Sequence, residues 1–278
     1  MKNLGKIFIA DYFEKQVDDI HVFLKDIPGY YKMKDIHQLR VRIKRLKAIF
    51  RLLEFMHPVK FRAKDHYRLF KPVFKTTGLV RGSQMNLSLL KRFKGVEQLY
   101  KSFSKYIARL RPGWNIRLDN SIATFNVSRL NQMVDNINGY FSRYSEMELV
   151  GLITDFIYSE RDRIKILLDE SEEMEYIHEV RIILKNIKPL LAILLHRDDN
   201  PFQKIHYKSL NSTETLIGNW HDRFLLSEAL SGFFKARGKK KEKLNEQYSA
   251  LKKKINSNNR QMLRKIARSL EETLSLFY

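Results

Sequence analysis

Cysteine is absent from the 278-residue chain, which excludes disulfide frameworks, thiolate-ligated zinc, iron–sulfur clusters and cysteine nucleophiles. Long apolar runs are also missing, since the longest, Leu190 to Leu195, is only a few residues and far too short to span a membrane. A short apolar patch near the N-terminus is interrupted by Asp11 before it could serve as the core of a signal peptide. We therefore expect a cytoplasmic protein that does not enter a membrane.

Acidic residues are outnumbered, because 31 Asp and Glu stand against 52 Lys and Arg and give a formal net charge of +21. Such an excess predicts an anionic partner. At 44% hydrophobic and 12% aromatic residues, the chain can still bury a core, which argues against a disordered basic tail. The composition therefore indicates a folded basic protein.

Glycine and proline are scarce, at 11 and 6 residues, and apolar residues recur at three- and four-residue spacing with little alternation. This pattern predicts an all-α fold. We expect helices at 3–27, 33–57, 61–77, 79–110, 114–140, 141–171, 174–197, 202–216, 219–236 and 239–276, with breaks at Pro28, Pro58, Gly78, Pro112, Pro201 and Gly218. Pro72 and Pro189 fall inside helical patterns, where each removes a backbone donor, and predict kinks or one further break.

The chain repeats itself after about 140 residues. The segment Ile36 to Lys47 returns as Ile177 to Lys188, and both copies carry the spacing His-x-x-Arg-x-x-x-Lys-x-x-Lys. The next helix repeats too, because His66 to Gly78 returns as His206 to Gly218 with the same order and spacing. We therefore expect two similar helical halves, approximately 1–140 and 141–278.

Each copy of the repeated helix has a cationic face beside its apolar face. At about 100° per residue, the apolar stripe of the first copy contains Ile36, Leu39, Ile43, Leu46, Phe50 and Leu53. The cationic row contains His37, Arg40, Lys44, Lys47 and Arg51 in the first copy, and His178, Arg181, Lys185 and Lys188 in the second. A solvated helix face is the alternative interpretation. Acids are nearly absent from the first face, however, and the row recurs, so we interpret both rows as an anion site.

The residue types in these rows suit a linear polyanion. Arginine offers a planar fork of donors to phosphate oxygens, and lysine adds a compact charge on a flexible stem. The histidine at the head of each row could donate from both ring nitrogens once protonated, and neighbouring anions are expected to raise its pKa.

Four stretches, His37 to Leu53, His66 to Gly82, His178 to Leu194 and His206 to Asp222, together resemble the CHAD family of histidine-containing α-helical domains. The segment Leu216 to Asp222 is similar to the family signature Leu-Gly-x-x-[Arg/His]-Asp.

Three positions depart from the family pattern. Gly82 stands in the first half where an acid is usual, and Asn186 and Pro189 interrupt the basic pattern of the second repeated helix. The first departure leaves open whether an acid tethers that helix.

The resemblance implies a single domain over 1–278, in which two four-helix-bundle-like halves related by a pseudo-twofold axis enclose a central basic groove or pore. It also implies binding of inorganic polyphosphate, because family members bind this polymer and some localise to polyphosphate granules. Others are fused to, or encoded near, triphosphate-tunnel enzymes or polyphosphate kinases. Carried over by position, the binding residues are His37, Arg40, Lys44, Lys47, Arg51, His178, Arg181, Lys185 and Lys188, with Arg68, Lys71, Lys75, Arg81 and Lys208 as additions from the following helices.

Other basic stretches remain open to two interpretations. Lys235 to Lys243, Lys252 to Lys254 and Arg264 to Arg268 each predict either a second polyanion contact or a solvated helix face.

No catalytic pattern is evident in the sequence, which lacks His-x-x-x-His spacing and a serine elbow. We interpret His221 and Asp222 as structural, at a helix start or bridging to a basic helix. The leading hypothesis is therefore non-catalytic polyphosphate binding without a cofactor or metal. A protein that binds the nucleic-acid backbone is the alternative, and a phosphohydrolase or an accessory to a polyphosphate or triphosphate enzyme comes third.

Overall fold

The computed structural model describes residues 7–170, 175–237 and 242–277, which fold into helices joined by short turns. The helices are α1 (Phe8–Asp26), α2 (Met33–Met56), α3 (Ala63–Tyr67), α4 (Lys71–Lys91), α5 (Glu97–Ala123), α6 (Val127–Phe141), α7 (Glu146–Glu170), α8 (Glu175–Leu194), α9 (Lys204–Arg237) and α10 (Glu242–Ser275). These ranges contain no β-strand. The prediction of an all-α fold is confirmed.

Three expected breaks are wrong, because α4 runs through Gly78, α5 through Pro112 and α9 through Gly218. Gly78 serves close packing instead of a turn: a Cβ there would lie 3.1 Å from Nη1 of Arg40. Pro112 lies on an exposed stretch of α5, where one lost backbone donor is tolerated. The expected breaks at Pro28, Pro58 and Pro201 are confirmed.

Two other breaks were not predicted. Gly95, with φ +76°, lies in the turn between α4 and α5, and Asn126 caps α6 by accepting a hydrogen bond from the backbone N–H of Arg129 at 2.8 Å. Pro72 lies in the first turn of α4, so a break precedes it, whereas Pro189 lies within α8.

The apolar side chains of the bundle form two clusters. The larger one joins α1 to α4 and α6 to α8 with the second half of α5, the first half of α9 and the second half of α10. The smaller one joins the C-terminal end of α4 to the first half of α5, the second half of α9 and the first half of α10. The apolar stripe predicted for α2 lies in the larger cluster, with each of its six residues at most 1% exposed. Burial of that stripe fixes the rotation of α2 about its axis and thereby the direction of its cationic row.

The two repeated helices, α2 and α8, pack directly against each other, with α4 and α9 beside them. The pseudo-twofold axis and the boundary between the halves stay predictions. Among the helices within the described ranges, none combines the length and apolar character that a membrane span requires.

Candidate functional site

The cationic rows of α2 and α8 face each other across the contact between these helices. Lys44 on α2 interacts electrostatically with Arg181 and Lys185 on α8. Arg81 on α4 faces His37 and Arg40, and Asp222 on α9 faces cations from α2, α4 and α8. We call this group the central cluster, comprising His37, Arg40, Lys44, Arg81, Arg181, Lys185, Lys188, Glu214, His221 and Asp222.

One side of the central cluster opens into a cleft of about 390 Å³. Lys44 from α2 and Lys185 from α8 line the same cleft, so side chains from both halves of the chain meet there. The other lining residues include His37, Arg45, Lys188, Glu214 and the aromatic walls Tyr12 and Tyr207. A single cleft lined by both repeated helices agrees with the central groove that the family resemblance implies.

The two facing lysines are crowded by like charge. Burial, followed by the neighbouring Arg181 and Lys44, lowers the pKa of Lys185 to about 7. Burial, followed by Arg40 and Arg181, lowers the pKa of Lys44 to about 8. Glu214 and Asp222 oppose both effects without cancelling them. The cluster therefore holds more positive charge than its own acids neutralise.

Two carboxylates from α9 partly compensate this charge. Burial alone would raise the pKa of Glu214, but Lys188, whose Nζ lies 3.0 Å from a Glu214 oxygen, and the neighbouring Lys185 and Arg181 lower it. Burial raises the pKa of Asp222 despite the opposing effect of Arg181 and Arg81. Lys188 is therefore paired with Glu214, whereas Lys44, Arg181 and Lys185 each interact electrostatically with both Glu214 and Asp222.

Arg40 links α2 to α4. Its guanidinium donates to the backbone oxygen of Phe74 and to Oγ1 of Thr77 at 3.2 Å, and it lies 4.0 Å from the centre of the Phe74 ring. Gly78 leaves room for this approach. A guanidinium has five N–H donors, so Arg40 can bond to α4 with some of them and donate to a ligand at the central cluster with others.

The row histidines differ in their surroundings. The side chain of His37 is exposed, but its ring is partly buried. This partial burial is the largest cause of its lowered pKa, and the charges of Arg81 and Lys44 lower the pKa further. The charged groups of the protein that act on His37 are thus cations, and the rise in pKa expected from the anions of a bound polyanion stays a prediction. His178 packs against the rings of Trp220 at 5.4 Å and His221 at 5.2 Å. The pKa of His221 falls to about 4, chiefly through burial and Arg181.

The last two cations of the α2 row, Lys47 and Arg51, already contact other side chains of the protein. Lys47 lies 5.2 Å from the centre of the Tyr67 ring, and burial lowers its pKa. Arg51 is exposed and forms an ion pair with Glu54 on its own helix at 2.5 Å. The face around Arg51 is therefore paired within the protein, and the part of the row that meets α8 is centred on Arg40 and Lys44.

Of the five additional residues predicted from the following helices, the structure brings Arg81 to the central cluster. The side chains of the other four, Arg68, Lys71, Lys75 and Lys208, are exposed. The histidines that repeat beside them contribute to packing: His66 stacks on Phe61 with a centroid distance of 4.1 Å, and His206 packs against Phe277 at 5.1 Å. The recurrence of these two histidines is therefore explained by their packing against aromatic rings of the hydrophobic core.

Sequence reasoning missed the acids of the cluster. The sequence predicts Asp222 to be a helix-start acid or a bridge to a basic helix. Because α9 is continuous, Asp222 starts no helix, and it interacts electrostatically with cations of α2, α4 and α8. Glu214, two turns earlier on α9, was not singled out. His221 follows Gly218 by three residues, as Arg81 follows Gly78, and this repeated spacing was the available signal that both belong to the site.

The other basic stretches lie away from these contacts or outside the described residues. Lys239, Lys240 and Lys241 fall outside the described residues, whereas Lys252 to Lys254 and Arg264 to Arg268 lie on α10, where the side chains of the basic residues are exposed. Across residues 7–170, 175–237 and 242–277, no group of three or more His, Asp or Glu side chains could hold a metal ion.

Comparison with known proteins identifies the fold. The CHAD domain profile matches residues 12–231 of this chain. The crystal structure of the CHAD domain from the plant Ricinus communis is similar to it, with a TM-score of 0.67 and 12% sequence identity over 98% of this chain and 92% of that chain. No curated protein matches the chain. Because the matched profile covers most of the residues, the chain belongs to the CHAD domain family.

Proposed function

We propose that this protein binds inorganic polyphosphate in the cleft at the central cluster, with cations of α2 and α8 on either side of the polymer. One observation carries the proposal: Lys44 and Lys185 line the same cleft from opposite helices. Across the central cluster, five Lys and Arg side chains interact with only two carboxylates, Glu214 and Asp222, namely Lys44, Arg81, Arg181, Lys185 and Lys188, and Arg40 adds a further positive charge beside Lys44. A polyanion would relieve their mutual repulsion.

The form of the cleft favours a thin chain of phosphates over a nucleic acid. Two aromatic rings beside the cationic row of α2 are already engaged, since Phe74 lies under Arg40 and Tyr67 lies under Lys47, which leaves Tyr12 and Tyr207 as the rings on the cleft wall. Single-stranded nucleic acids are usually held by aromatic rings on which bases stack. Polyphosphate needs charged donors alone, and the central cluster supplies these from both sides.

In the proposed function, the protein binds polyphosphate and does not catalyse a reaction. Both acids of the cluster face cations, and Glu214 forms a direct ion pair with Lys188, so we assign neither acid to proton transfer. A polyphosphate-binding protein of this kind would act with enzymes that make or degrade the polymer. We place it in the cytoplasm at polyphosphate granules, where a fluorescent fusion should overlap a polyphosphate stain.

Calorimetric titration with polyphosphates of graded length tests the proposal. The double variant Lys44→Gln with Lys185→Gln should weaken binding by at least about tenfold, because it removes the two facing cations. A matched control, Lys101→Gln with Lys105→Gln, removes the same charge from exposed positions on α5 and should change affinity by less than about twofold.

Competition separates the ligand classes. Long-chain polyphosphate should displace a labelled oligonucleotide at physiological salt, and the salt dependence of both ligands should be measured because each binds through charge. Tighter binding of single-stranded or duplex nucleic acid would overturn the proposal. Metal-dependent phosphate release that disappears in Asp222→Ala would instead indicate a hydrolase.

A further inference from the structure

A further cleft, of about 550 Å³, lies between α9 and α10, and we call it the outer cleft. Its α10 wall carries three cations, Arg264, Lys265 and Arg268, and one acid, Glu272, and all four side chains are exposed. The volume falls within the range of about 300–1,000 Å³ typical of ligand sites in proteins. The outer cleft is therefore a concave surface with more positive than negative charge.

The charge of this part of α10 is not balanced by acids of the same helix. From Gln247 to Leu270 the sequence has seven Lys and Arg and no Asp or Glu. Within residues 7–170, 175–237 and 242–277, no ion pair joins Arg264, Lys265 or Arg268 to an acid. Like charges on neighbouring turns destabilise a helix. A bound anion would offset this repulsion, as it would at the central cluster.

The outer cleft and the cleft at the central cluster lie on opposite sides of α9. Ser212 and Leu216 line the outer cleft, whereas Glu214, between them in sequence, lines the cleft at the central cluster. At about 100° per residue, Glu214 lies about 160° around the helix from each of them. Both clefts therefore use the same turns of α9, and the body of one helix, about 10 to 12 Å across with its side chains, separates them.

Two lysines lie on the exposed face of α9 between these two sides. Lys204 is the first residue of α9, Lys208 follows one turn later, and both side chains are exposed. By helix geometry, Lys204 lies about 60° from Tyr207, which lines the cleft at the central cluster. Lys208 lies about 40° from Ser212, which lines the outer cleft. The two lysines therefore form a cationic path around α9 from one cleft to the other.

We propose that a long polyphosphate chain held at the central cluster continues past Lys204 and Lys208 into the outer cleft, where Arg264, Lys265 and Arg268 bind it. This inference rests on the proposed function, because the central cluster supplies the first contact. Once one part of the chain is bound there, the second contact is intramolecular and gains from a high effective concentration. Tripolyphosphate is too short to follow half the circumference of α9, about 15 to 20 Å, so the outer cleft makes the protein favour long chains.

The lining of the outer cleft favours an unbranched chain of phosphates over a nucleic acid. Among the described residues that line it, none is aromatic, so bases have no ring on which to stack. Arginine and lysine donate to phosphate oxygens without any such ring. The outer cleft therefore offers the same kind of contact as the central cluster.

Calorimetric titration of the full chain with tripolyphosphate and with long-chain polyphosphate tests the inference. The triple variant Arg264→Gln, Lys265→Gln and Arg268→Gln should weaken long-chain binding by at least about fivefold and change tripolyphosphate binding by less than about twofold. Salt dependence gives a second measurement. For the long chain, the slope of log affinity against log salt concentration should fall by about 2 in magnitude, since single-stranded nucleic acids lose roughly 0.7 per phosphate contact. The slope for tripolyphosphate should not change.

A matched control removes the same charge from exposed positions on α5. Lys101→Gln with Lys105→Gln and Arg109→Gln should change long-chain affinity by less than about twofold. A second test variant, Lys204→Gln with Lys208→Gln, interrupts the path on α9 and should weaken long-chain binding by at least about threefold while tripolyphosphate binding stays the same. Far-UV circular dichroism checks that each variant keeps its helices.

Unchanged long-chain affinity in the triple variant would overturn the inference while leaving the proposed function in place. An equal loss of affinity for both chain lengths would also overturn it, because the effect would then reach the central cluster indirectly. A triple variant that loses oligonucleotide binding and keeps long-chain polyphosphate binding would assign the surface to nucleic acid instead. The proposed function fails separately, if Lys44→Gln with Lys185→Gln leaves tripolyphosphate binding unchanged.

Discussion

Replacing Lys185 with glutamine should stabilise the fold and weaken polyphosphate binding at the same time. Lys185 lines the cleft, and burial, Arg181 and Lys44 lower its pKa from the ordinary 10.5 to about 7. The folded protein therefore disfavours the protonated amine that the unfolded chain carries at neutral pH. Glutamine removes that penalty together with a proposed ligand contact.

The size of the effect follows from the pKa difference. Each tenfold change in proton affinity corresponds to about 1.4 kcal/mol, so a fall from 10.5 to about 7 sets an upper limit of about 4 to 5 kcal/mol. Coupling to Lys44 and partial solvation of the cleft reduce this limit. We expect Lys185→Gln to raise the free energy of unfolding by about 1 to 2 kcal/mol at pH 7.

Urea denaturation followed by far-UV circular dichroism measures this change. Because the folded-state pKa lies below the unfolded value, the stability that Lys185 contributes is present above pH 10.5 and lost as the pH falls through about 7. The wild-type protein should therefore gain stability between pH 7 and 10.5, and Lys185→Gln should lose that part of the pH dependence. Lys101→Gln, on the exposed side of α5, should retain it.

A Lys185→Gln variant that is less stable than the wild type at pH 7, or that keeps the full pH dependence, would refute the reasoning. It would mean that Lys185 is held by interactions strong enough to offset its crowding. Unchanged polyphosphate affinity in a more stable variant would remove Lys185 from the ligand contacts and leave the electrostatic account intact.

Three further predictions concern the same cluster. Polyphosphate binding between pH 7 and 8 should take up protons, because an anion raises the pKa values of Lys44 and Lys185 from about 8 and about 7; calorimetry in buffers of different ionisation enthalpy measures the uptake, and none would contradict it. Glu214→Gln should lower the free energy of unfolding by about 1 kcal/mol above pH 4.5, where the lowered pKa keeps the carboxylate charged, while freeing Lys188 and tightening polyphosphate binding several-fold; weaker binding would show that Glu214 positions the lysine. Arg51→Ala should alter polyphosphate affinity by less than about threefold, since Arg51 is exposed and paired with Glu54, and a larger loss in titration would extend the site along α2.

Periodicity alone predicted the helical class and the burial of the apolar stripe of α2, because helix geometry fixes which residues share a face. Breaks inferred from glycine and proline were less reliable. Gly78 and Gly218 lie inside helices, and the reason at Gly78 is the nearby Arg40 guanidinium, which no local pattern reveals. The cap at Asn126 had a local signal in the residue itself.

Two similar cationic rows can be recognised in the sequence alone, and the excess of positive charge indicates an anionic partner. Helix geometry then sufficed to place His37, Arg40 and Lys44 on one face, as it did for Arg181 and Lys185. These are local properties, set by the order of side chains along a single helix.

The packing of the helices turns the rows of α2 and α8 toward each other and brings Glu214 and Asp222 of α9 beside them, which no pattern along one helix reveals. Which charges become neighbours depends on how helices distant in sequence pack, and burial at that contact sets the pKa of each lysine. The physical reason is that electrostatic interactions act through space, whereas a sequence pattern specifies neighbours along one helix.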